Sequence, residues 1–181
     1  MSHAIVIKAD NKSGDPIRRL WDDASEFEAA PSMQGLNYAP HITLAVYETI
    51  DPDALFAAFD ATFAGCTAFS LTFDRMKIFE AAPLVLWAAP RECPALRRVA
   101  IAIHQQIDPA LCHPHYRPGA WRPHCTLATD IRSEYEAAAR DFVKRRLDAF
   151  EVSFDVAECV EFPPVRILRT KTLSPAAKSG C

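Results

Sequence analysis

The stretch Pro-His-Ile-Thr-Leu-Ala at residues 40–45 returns as Pro-His-Cys-Thr-Leu-Ala at residues 123–128, an offset of 83 residues. Only the third position differs between the two copies. A chain with 6 His and 14 Pro in 181 residues does not repeat such a string readily by chance, so we interpret it as an internal duplication.

A β-strand places side chains i and i+2 on the same face. Within the first copy, His41 and Thr43 are therefore predicted to project together, while Ile42 faces an apolar core. His124 and Thr126 repeat this pair in the second copy. Cys125 takes the position of Ile42, so we do not expect it to act as a nucleophile.

Two imidazoles and two hydroxyls brought face to face suit chemistry at phosphorus. One histidine would take a proton from the nucleophile, and the other would give one to the leaving oxygen. The threonine hydroxyls would bind the phosphoryl oxygens. The pattern thus predicts His41, Thr43, His124 and Thr126 as catalytic residues.

The composition restricts the class of protein. Half of the 181 residues are hydrophobic and the net charge is -3, which is enough core for one domain or two fused lobes and excludes a broad basic surface for long nucleic acid. The six cysteines form no Cys-x-x-Cys pair. With neither a signal peptide nor an apolar run of membrane-spanning length, we predict a cytoplasmic protein with reduced thiols and no membrane contact.

Hydrophobic periodicity predicts the order β-α-β-α-β-β twice. Asp15-Pro16, Asp51-Pro52 and Pro94 indicate helix starts, and Ser133 with Glu136 indicates a capping box for a helix reaching about Leu147. The predicted strands are residues 4–7, 41–47, 67–73, 76–79, 84–87, 124–128, 150–156, 160–162 and 165–172. A tight turn is expected at 74–75, and loops at 31–40 and 108–121 lead into the two motif strands.

Adding 83 to positions outside the motif again pairs similar residues, for example Phe59 with Phe142 and Leu71 with Phe154. We therefore predict an α+β fold of two pseudo-symmetric β-α-β-α-β-β lobes, with antiparallel sheets around a central cleft. Residues 1–181 form a single bilobal domain in this prediction. Its first repeat covers about 3–81 and its second about 83–173, followed by a flexible tail at 174–181.

The two His-x-Thr-hydrophobic strings, each after a Pro-containing loop and about eighty residues apart, resemble the 2H phosphoesterase superfamily, which includes 2'-5' RNA ligase and cyclic phosphodiesterase proteins. The resemblance covers nearly the whole chain. It implies a phosphodiesterase that needs neither metal nor ATP nor another cofactor, acting on a 2',3'-cyclic phosphate or a 2'-5' phosphodiester of a nucleotide or RNA end, with ligation as a reverse reaction. His41 and His124 would be the acid/base pair, with either in either role.

Four further residues are predicted to bind substrate. Tyr38 and Trp121 occupy equivalent positions before each motif, where an aromatic ring either stacks on a base or anchors the loop. Tyr116 and Arg122 belong to the 108–121 loop and its end, and an arginine there suits a phosphate. Arg75, Arg117, Arg166 and Arg169 are other arginine candidates, each also compatible with a surface charge.

Two alternative functions stay open. One is a module that binds a nucleotide or RNA end with little turnover. The other is a zinc-dependent hydrolase that uses His41, His124 and the loop histidines His113 and His115. No carboxylate lies within either motif, which disfavours zinc. We predict a monomer, because the duplication supplies internally the symmetry of a dimer.

Overall fold

The computed structural model describes residues 1–175. The eight strands are β1 (Ser2–Lys8), β2 (His41–Tyr47), β3 (Phe69–Phe79), β4 (Val85–Pro90), β5 (Cys125–Ala128), β6 (Phe150–Phe154), β7 (Val156–Phe162) and β8 (Arg166–Thr172). The α-helices are α1 (Asp15–Ser25), α2 (Ser32–Gly35), α3 (Pro52–Phe63), α4 (Pro94–Gln106) and α5 (Glu136–Val143).

The strands form two antiparallel four-stranded sheets. The first sheet has the order β2-β1-β7-β8, and the second has the order β5-β4-β3-β6. Each motif strand, β2 or β5, therefore lies at the edge of its own sheet, next to the strand that opens its half of the chain. This confirms the predicted α+β class with paired antiparallel sheets.

The second sheet also contains one strand from the first half of the sequence, and the first sheet contains two strands, β7 and β8, from the second half. β3 comes from the first half but pairs with β4 and β6 in the second sheet. β7 comes from the second half but pairs with β1 in the first sheet. The two halves are interlocked through these strands, while the exact bounds of the sequence repeats stay a prediction.

The tight turn predicted at Asp74-Arg75 is wrong. β3 is one strand of 11 residues, and the register of its pairing with β4 shifts between Phe73 and Arg75. The strand stays continuous because its first part pairs with β6 and its second part with β4. Asp74 accepts hydrogen bonds from Arg75 at 3.1 Å and Arg91 at 2.8 Å at this bulge.

Two other sequence boundaries are also corrected. Ser133 begins a 3-10 turn and caps nothing, and α5 runs only from Glu136 to Val143. The strand predicted at 150–156 is divided at Asp155, where the chain passes from the second sheet to the first. The Asp155 amide donates to the Lys8 carbonyl at 3.2 Å, and this bond fixes the crossing point.

Other predicted boundaries are confirmed. Pro16 and Pro52 lie in the first turns of α1 and α3, and the Asp51 carboxylate caps α3 by accepting from the Asp53 amide at 3.1 Å. Of the predicted tail, Ser174 forms a bridge with Thr67, and residues 176–181 lie outside the described residues. Within residues 1–175, no helix combines the length and the apolar character needed to cross a bilayer.

Candidate active site

The motif strands present their side chains with the period of a strand. Ile42, Leu44 and Leu127 have no exposed surface and belong to the main core, whereas His41, Thr43 and Thr126 are half-buried on the opposite face. Cys125 is 1 % exposed. Burial raises the pKa of its thiol well above the ordinary value, so Cys125 is a core residue.

Both motif strands carry a bulge at the same place. The pairing of β1 with β2 moves from Ala45 to Thr43, and that of β4 with β5 moves from Ala128 to Thr126. Leu44 and Leu127 are therefore the residues passed over in the two ladders. A bulge bends a strand and changes the direction of the side chains beside it. The same local backbone geometry therefore occurs next to each threonine.

Each motif histidine is held through Nδ1. His41 Nδ1 lies 3.0 Å from the carbonyl of Ala39, and His124 Nδ1 lies 2.7 Å from the carbonyl of Arg122. Because a carbonyl only accepts hydrogen bonds, both Nδ1 atoms carry the proton. In the neutral ring, Nε2 is then left with the lone pair that proton transfer requires.

Burial disfavours the charged form of both rings. Desolvation, together with the proximity of His124, lowers the pKa of His41 to about 4, and the Ala39 carbonyl and Glu158 oppose this shift. Desolvation likewise lowers the pKa of His124. Both histidines are therefore neutral at pH 7, and the influence of one ring on the other places them in one electrostatic site.

A buried polar network supports His41. The Tyr38 ring packs edge-on against the imidazole, with 5.1 Å between centroids, and its hydroxyl donates to Glu158. Glu158 is 1 % exposed and also accepts from Lys8 Nζ at 3.0 Å and Thr170 Oγ1 at 3.1 Å. Burial and Glu158 raise the pKa of Tyr38, so its phenol remains protonated.

Aromatic rings surround His124 instead. Phe79 and Trp87 each pack edge-on against the imidazole, at centroid distances of 5.0 and 5.8 Å. These two rings stack on each other at 4.7 Å, and Lys77 Nζ lies 5.7 Å from the centroid of Trp87. The two histidines thus make the same kind of hydrogen bond, from Nδ1 to a backbone carbonyl. They differ in the side chains that pack around the ring.

Comparison with sequence models of known families identifies the family to which this chain belongs. The sequence model of the 2'-5' RNA ligase superfamily matches residues 12–162. The chain belongs to the 2'-5' RNA ligase superfamily. A search of curated proteins gives no significant match.

Solved structures of this superfamily and its neighbours share the fold. Escherichia coli LigT complexed with 3'-AMP superposes with a TM-score of 0.64 at 17 % identity, over 94 % of this chain and 97 % of LigT. TT0787 of Thermus thermophilus gives 0.61 at 14 % identity, over 98 % and 100 %. Usb1 of Kluyveromyces marxianus gives 0.51 at 11 % identity, over 96 % and 97 %. At these identities the likeness establishes the fold alone.

Two cavities meet at the motifs of this superfamily member. The first, which has no charged lining residue and is called the apolar compartment, has a volume of 240 Å³ and is lined by His41 and Thr43. The second, which Glu80 and Arg122 line and which is called the polar compartment, has a volume of 560 Å³ and is lined by His124. Tyr116, Thr126 and Thr129 line both. The four residues predicted as catalytic therefore line two adjacent compartments, which together we call the cleft.

The predicted substrate-binding residues divide into two groups. Tyr38 and Tyr116 line the apolar compartment, and Arg122 with Tyr116 lines the polar one. Trp121 is 7 % exposed, lines neither compartment, and donates from Nε1 to the Thr43 carbonyl at 2.9 Å. Its geometry matches the loop-anchoring alternative, and we do not include it among substrate contacts.

Trp121 has a reciprocal partner that the sequence analysis missed. Trp21 of α1 donates from Nε1 to the Thr126 carbonyl at 2.8 Å. Each motif threonine is thus fixed through its backbone by an indole from the other half of the chain. We call Trp21 and Trp121 the indole clamps.

Other arginine candidates are engaged away from the cleft. Arg75 binds Asp74, Arg166 binds Glu161, and Arg169 binds Asp60. Arg117 donates to two carbonyls of its own loop at 2.8 and 2.9 Å. Of the five arginines predicted from sequence, Arg122 is the one that lines a compartment of the cleft.

Sequence reasoning also missed Glu158, Lys8 and Thr129. Glu158 and Lys8 lie on strands whose other residues are mostly apolar, and a charge in such a strand is the signal that was available. The Thr129 amide donates to Glu28 at 2.9 Å, which fixes the end of the second motif. Within residues 1–175, no three His, Cys, Asp or Glu side chains come together as metal ligands.

Proposed function

We propose that this chain is a phosphodiesterase that acts, without metal or ATP, on a 2',3'-cyclic phosphate or a 2'-5' phosphodiester of a nucleotide or RNA end. The observation that carries the proposal is the pair of half-buried histidines, each with its proton held on Nδ1 and its Nε2 available, in one cleft with a threonine beside each. The predicted cytoplasmic location and monomeric state belong to the same proposal.

The proton transfers follow from this geometry. In hydrolysis of a cyclic phosphate, Nε2 of one histidine accepts a proton from water as the water oxygen bonds to phosphorus. One ribose P–O bond breaks, and the departing oxygen receives a proton from Nε2 of the other histidine, which acts in its doubly protonated form. Joining an alcohol to the cyclic phosphate uses the same two groups, so ligation is the same chemistry with a different nucleophile.

The remaining groups stabilise charge on the phosphoryl oxygens. Thr43 and Thr126 contribute hydroxyl donors from opposite sides of the cleft. Burial raises the pKa of the Tyr116 phenol while its hydrogen bond with Thr43 opposes the shift, and Tyr116 lines both compartments beside the threonines. Arg122 supplies a cation at the mouth of the polar compartment.

The neighbouring structures support a nucleotide as the substrate. LigT has been crystallised with 3'-AMP, ATP and NADP+, and also with phosphate. In this chain the aromatic side chains beside His41 and the small polar groups between the compartments suit a base and a phosphate, respectively.

The test is turnover of a panel of 2',3'-cyclic nucleotides and a 2'-5' linked dinucleotide in the presence of EDTA. We expect activity in EDTA, and a loss of roughly 10²–10⁴-fold in kcat for both His41→Ala and His124→Ala, the usual worth of general acid–base catalysis. Loss of wild-type activity in EDTA would favour the zinc-dependent hydrolase. Binding of a panel member without turnover would favour the binding module.

A further inference from the structure

A buried carboxylate lies where the first half of the chain meets the end of the second motif. Glu28 belongs to the segment between α1 and α2, and it is 6 % exposed. Its backbone forms an isolated antiparallel bridge with Ile131, and the neighbouring Phe27 carbonyl accepts from the Arg132 amide at 3.0 Å. The Glu28 side chain is therefore fixed at a contact between the two halves.

Each oxygen of this carboxylate binds a different element. Oε1 accepts from the amide of Thr129 at 2.9 Å and from that of Asp130 at 3.1 Å, and both residues follow directly after β5. Oε2 accepts from the amide of Ser32, the first residue of α2, at 3.0 Å. The Ser32 hydroxyl also accepts from the Thr129 amide, at 3.1 Å. Glu28 thus joins α2 to the 129–130 segment through a single side chain.

The two elements that Glu28 joins both contribute to the cleft. Met33 in α2 and Leu36 at its end line the apolar compartment. Thr129 lines both compartments. Glu28 itself lines neither of them. Any effect of Glu28 on a bound substrate must therefore pass through the elements that it holds.

The other half of the chain closes the equivalent junction without a carboxylate. The repeat offset of 83 residues places Leu111 at the position of Glu28 and Val46 at the position of Thr129. Leu111 is 57 % exposed, and the amide of His113 donates to the Val46 carbonyl at 2.8 Å. Burial of a carboxylate costs free energy that its hydrogen bonds must offset. Because one backbone hydrogen bond is enough at the equivalent place, the fold alone does not account for Glu28.

The groups proposed to carry out the chemistry have separate hydrogen bonds. His124 is held through Nδ1 by the Arg122 carbonyl, and the Thr126 carbonyl accepts from Trp21. Loss of the Glu28 carboxylate would therefore release α2 and the 129–130 segment and leave the reacting groups in place. A change of this kind weakens substrate binding without slowing the chemical step.

We propose, on the basis of the function proposed above, that Glu28 is a positioning residue for substrate binding. By holding α2 and the 129–130 segment together, its carboxylate keeps Met33, Leu36 and Thr129 in the arrangement that contacts the substrate. Glu28 contributes to the affinity for substrate and takes no part in the proton transfers.

The experiment compares Glu28→Ala and Glu28→Gln with the wild type, and Glu161→Ala is the matched control. Glu161 is also a buried glutamate, at 8 % exposure, but it binds Arg166 and lines neither compartment. Hydrogen exchange of the three amides that Glu28 binds is measured by NMR. KM and kcat are measured on the best substrate of the panel, and the Kd for 3'-AMP is measured by calorimetry.

In Glu28→Ala we expect the three amides to exchange about tenfold faster or more, the scale of a lost hydrogen bond to a charged group. KM and the Kd for 3'-AMP should rise by about tenfold, while kcat changes by less than about threefold. Glutamine has one oxygen, so Glu28→Gln should release one of the two elements and raise KM to an intermediate value. This variant keeps the test possible if Glu28→Ala does not fold. Glu161→Ala should leave exchange and KM unchanged.

A fall in kcat at constant KM, together with a lower midpoint of denaturant unfolding, would overturn the inference and leave Glu28 a role in stability alone. Unchanged exchange of the three amides, or an equal rise in KM in Glu161→Ala, would also overturn it. If the wild type binds 3'-AMP but turns over no member of the panel, the phosphodiesterase proposal fails and the Kd values decide the inference about Glu28. Absence of both binding and turnover in the wild type would overturn both.

Discussion

The two copies of the motif agree in one set of features and differ in another. Both have a histidine whose Nδ1 binds the carbonyl two residues earlier, a threonine two residues later, and a bulge at the next leucine. Around His41 there is a buried carboxylate network, and around His124 there is a pair of stacked aromatic rings. The two copies thus share the geometry of the histidine and the threonine, while the surroundings that hold each ring differ.

This comparison predicts unequal roles for two similar histidines. A nucleoside 2'-(4-nitrophenyl) phosphate has a leaving group that departs without protonation. If His124 is the acid, His124→Ala should recover most of its roughly 10²–10⁴-fold loss on this ester, while His41→Ala should not, since the attacking hydroxyl still needs a base. Initial rates of nitrophenolate release measure both. Rescue of His41→Ala instead would reverse the assignment.

Removal of either threonine hydroxyl should reduce activity less than removal of either imidazole. Thr43→Val and Thr126→Val keep a branched side chain on each strand and remove only the hydroxyl. We expect kcat to fall roughly 10–10³-fold in each, because a charge-stabilising donor is lost, with KM changing much less. Steady-state kinetics on the best panel substrate provides the measurement. A rise in KM at constant kcat would show that the hydroxyls only bind substrate.

The pH profile should show the effect of burial on both rings. The base must be neutral, so kcat/KM falls as the pH drops through its pKa, and the acid must be protonated, so kcat/KM falls as the pH rises through its pKa. Burial lowers both pKa values from the ordinary 6.5, that of His41 to about 4. The maximum of kcat/KM should therefore lie below about pH 6.5, with a decline of about tenfold or more by about pH 8. A maximum on the alkaline side of neutrality would contradict this.

Glu158→Gln should sharpen the difference between the two histidines. The carboxylate favours protonated His41, so its loss should move the acid limb of the kcat/KM profile to lower pH and reduce kcat up to about tenfold. Glu161→Gln is the matched control, since Glu161 is also buried on β7 but binds Arg166. An unchanged acid limb in Glu158→Gln would remove the network from catalysis and leave it a role in stability.

Substitution of an indole clamp should have the smallest effect on activity, and the effect should be similar for Trp21 and Trp121. Trp21→Phe and Trp121→Phe each leave one motif carbonyl without its donor, which we expect to cost about 1–3 kcal/mol in the free energy of unfolding and a few-fold in kcat. Denaturant unfolding and kinetics report the two effects. Trp87→Phe is the control for the stability measurement alone, because Trp87 Nε1 is buried without a hydrogen-bond partner among the described residues while its ring packs against His124. An equal loss of stability in Trp87→Phe would assign the effect to packing.

Much of this fold was predictable because its signals are local. The strand period separates Ile42 from His41, proline marks the starts of α1, α3 and α4, and the repeat pairs the halves. The continuity of β3 through Asp74 was not predictable, because it depends on pairing with β6 and β4, which are distant in sequence. A charged pair within a strand has the same local pattern as a turn.

The candidate site also divides into residues that local sequence signals reveal and residues that only the folded chain brings together. The motif residues were evident because they recur, whereas Glu158 and Lys8 meet only when β7 and β1 lie side by side. Trp121 illustrates the limit most clearly. Its place before the motif suggests a cleft residue, but only the three-dimensional path of the loop shows the indole turned toward the Thr43 carbonyl.

The exchanged strands have a mechanical consequence. Because β3 pairs within the second sheet and β7 within the first, the two motifs cannot move apart by a hinge between halves without breaking sheet hydrogen bonds. Each motif strand therefore depends on the other half of the sequence to complete its sheet. Two separately expressed halves would have to intertwine before either completed its sheet.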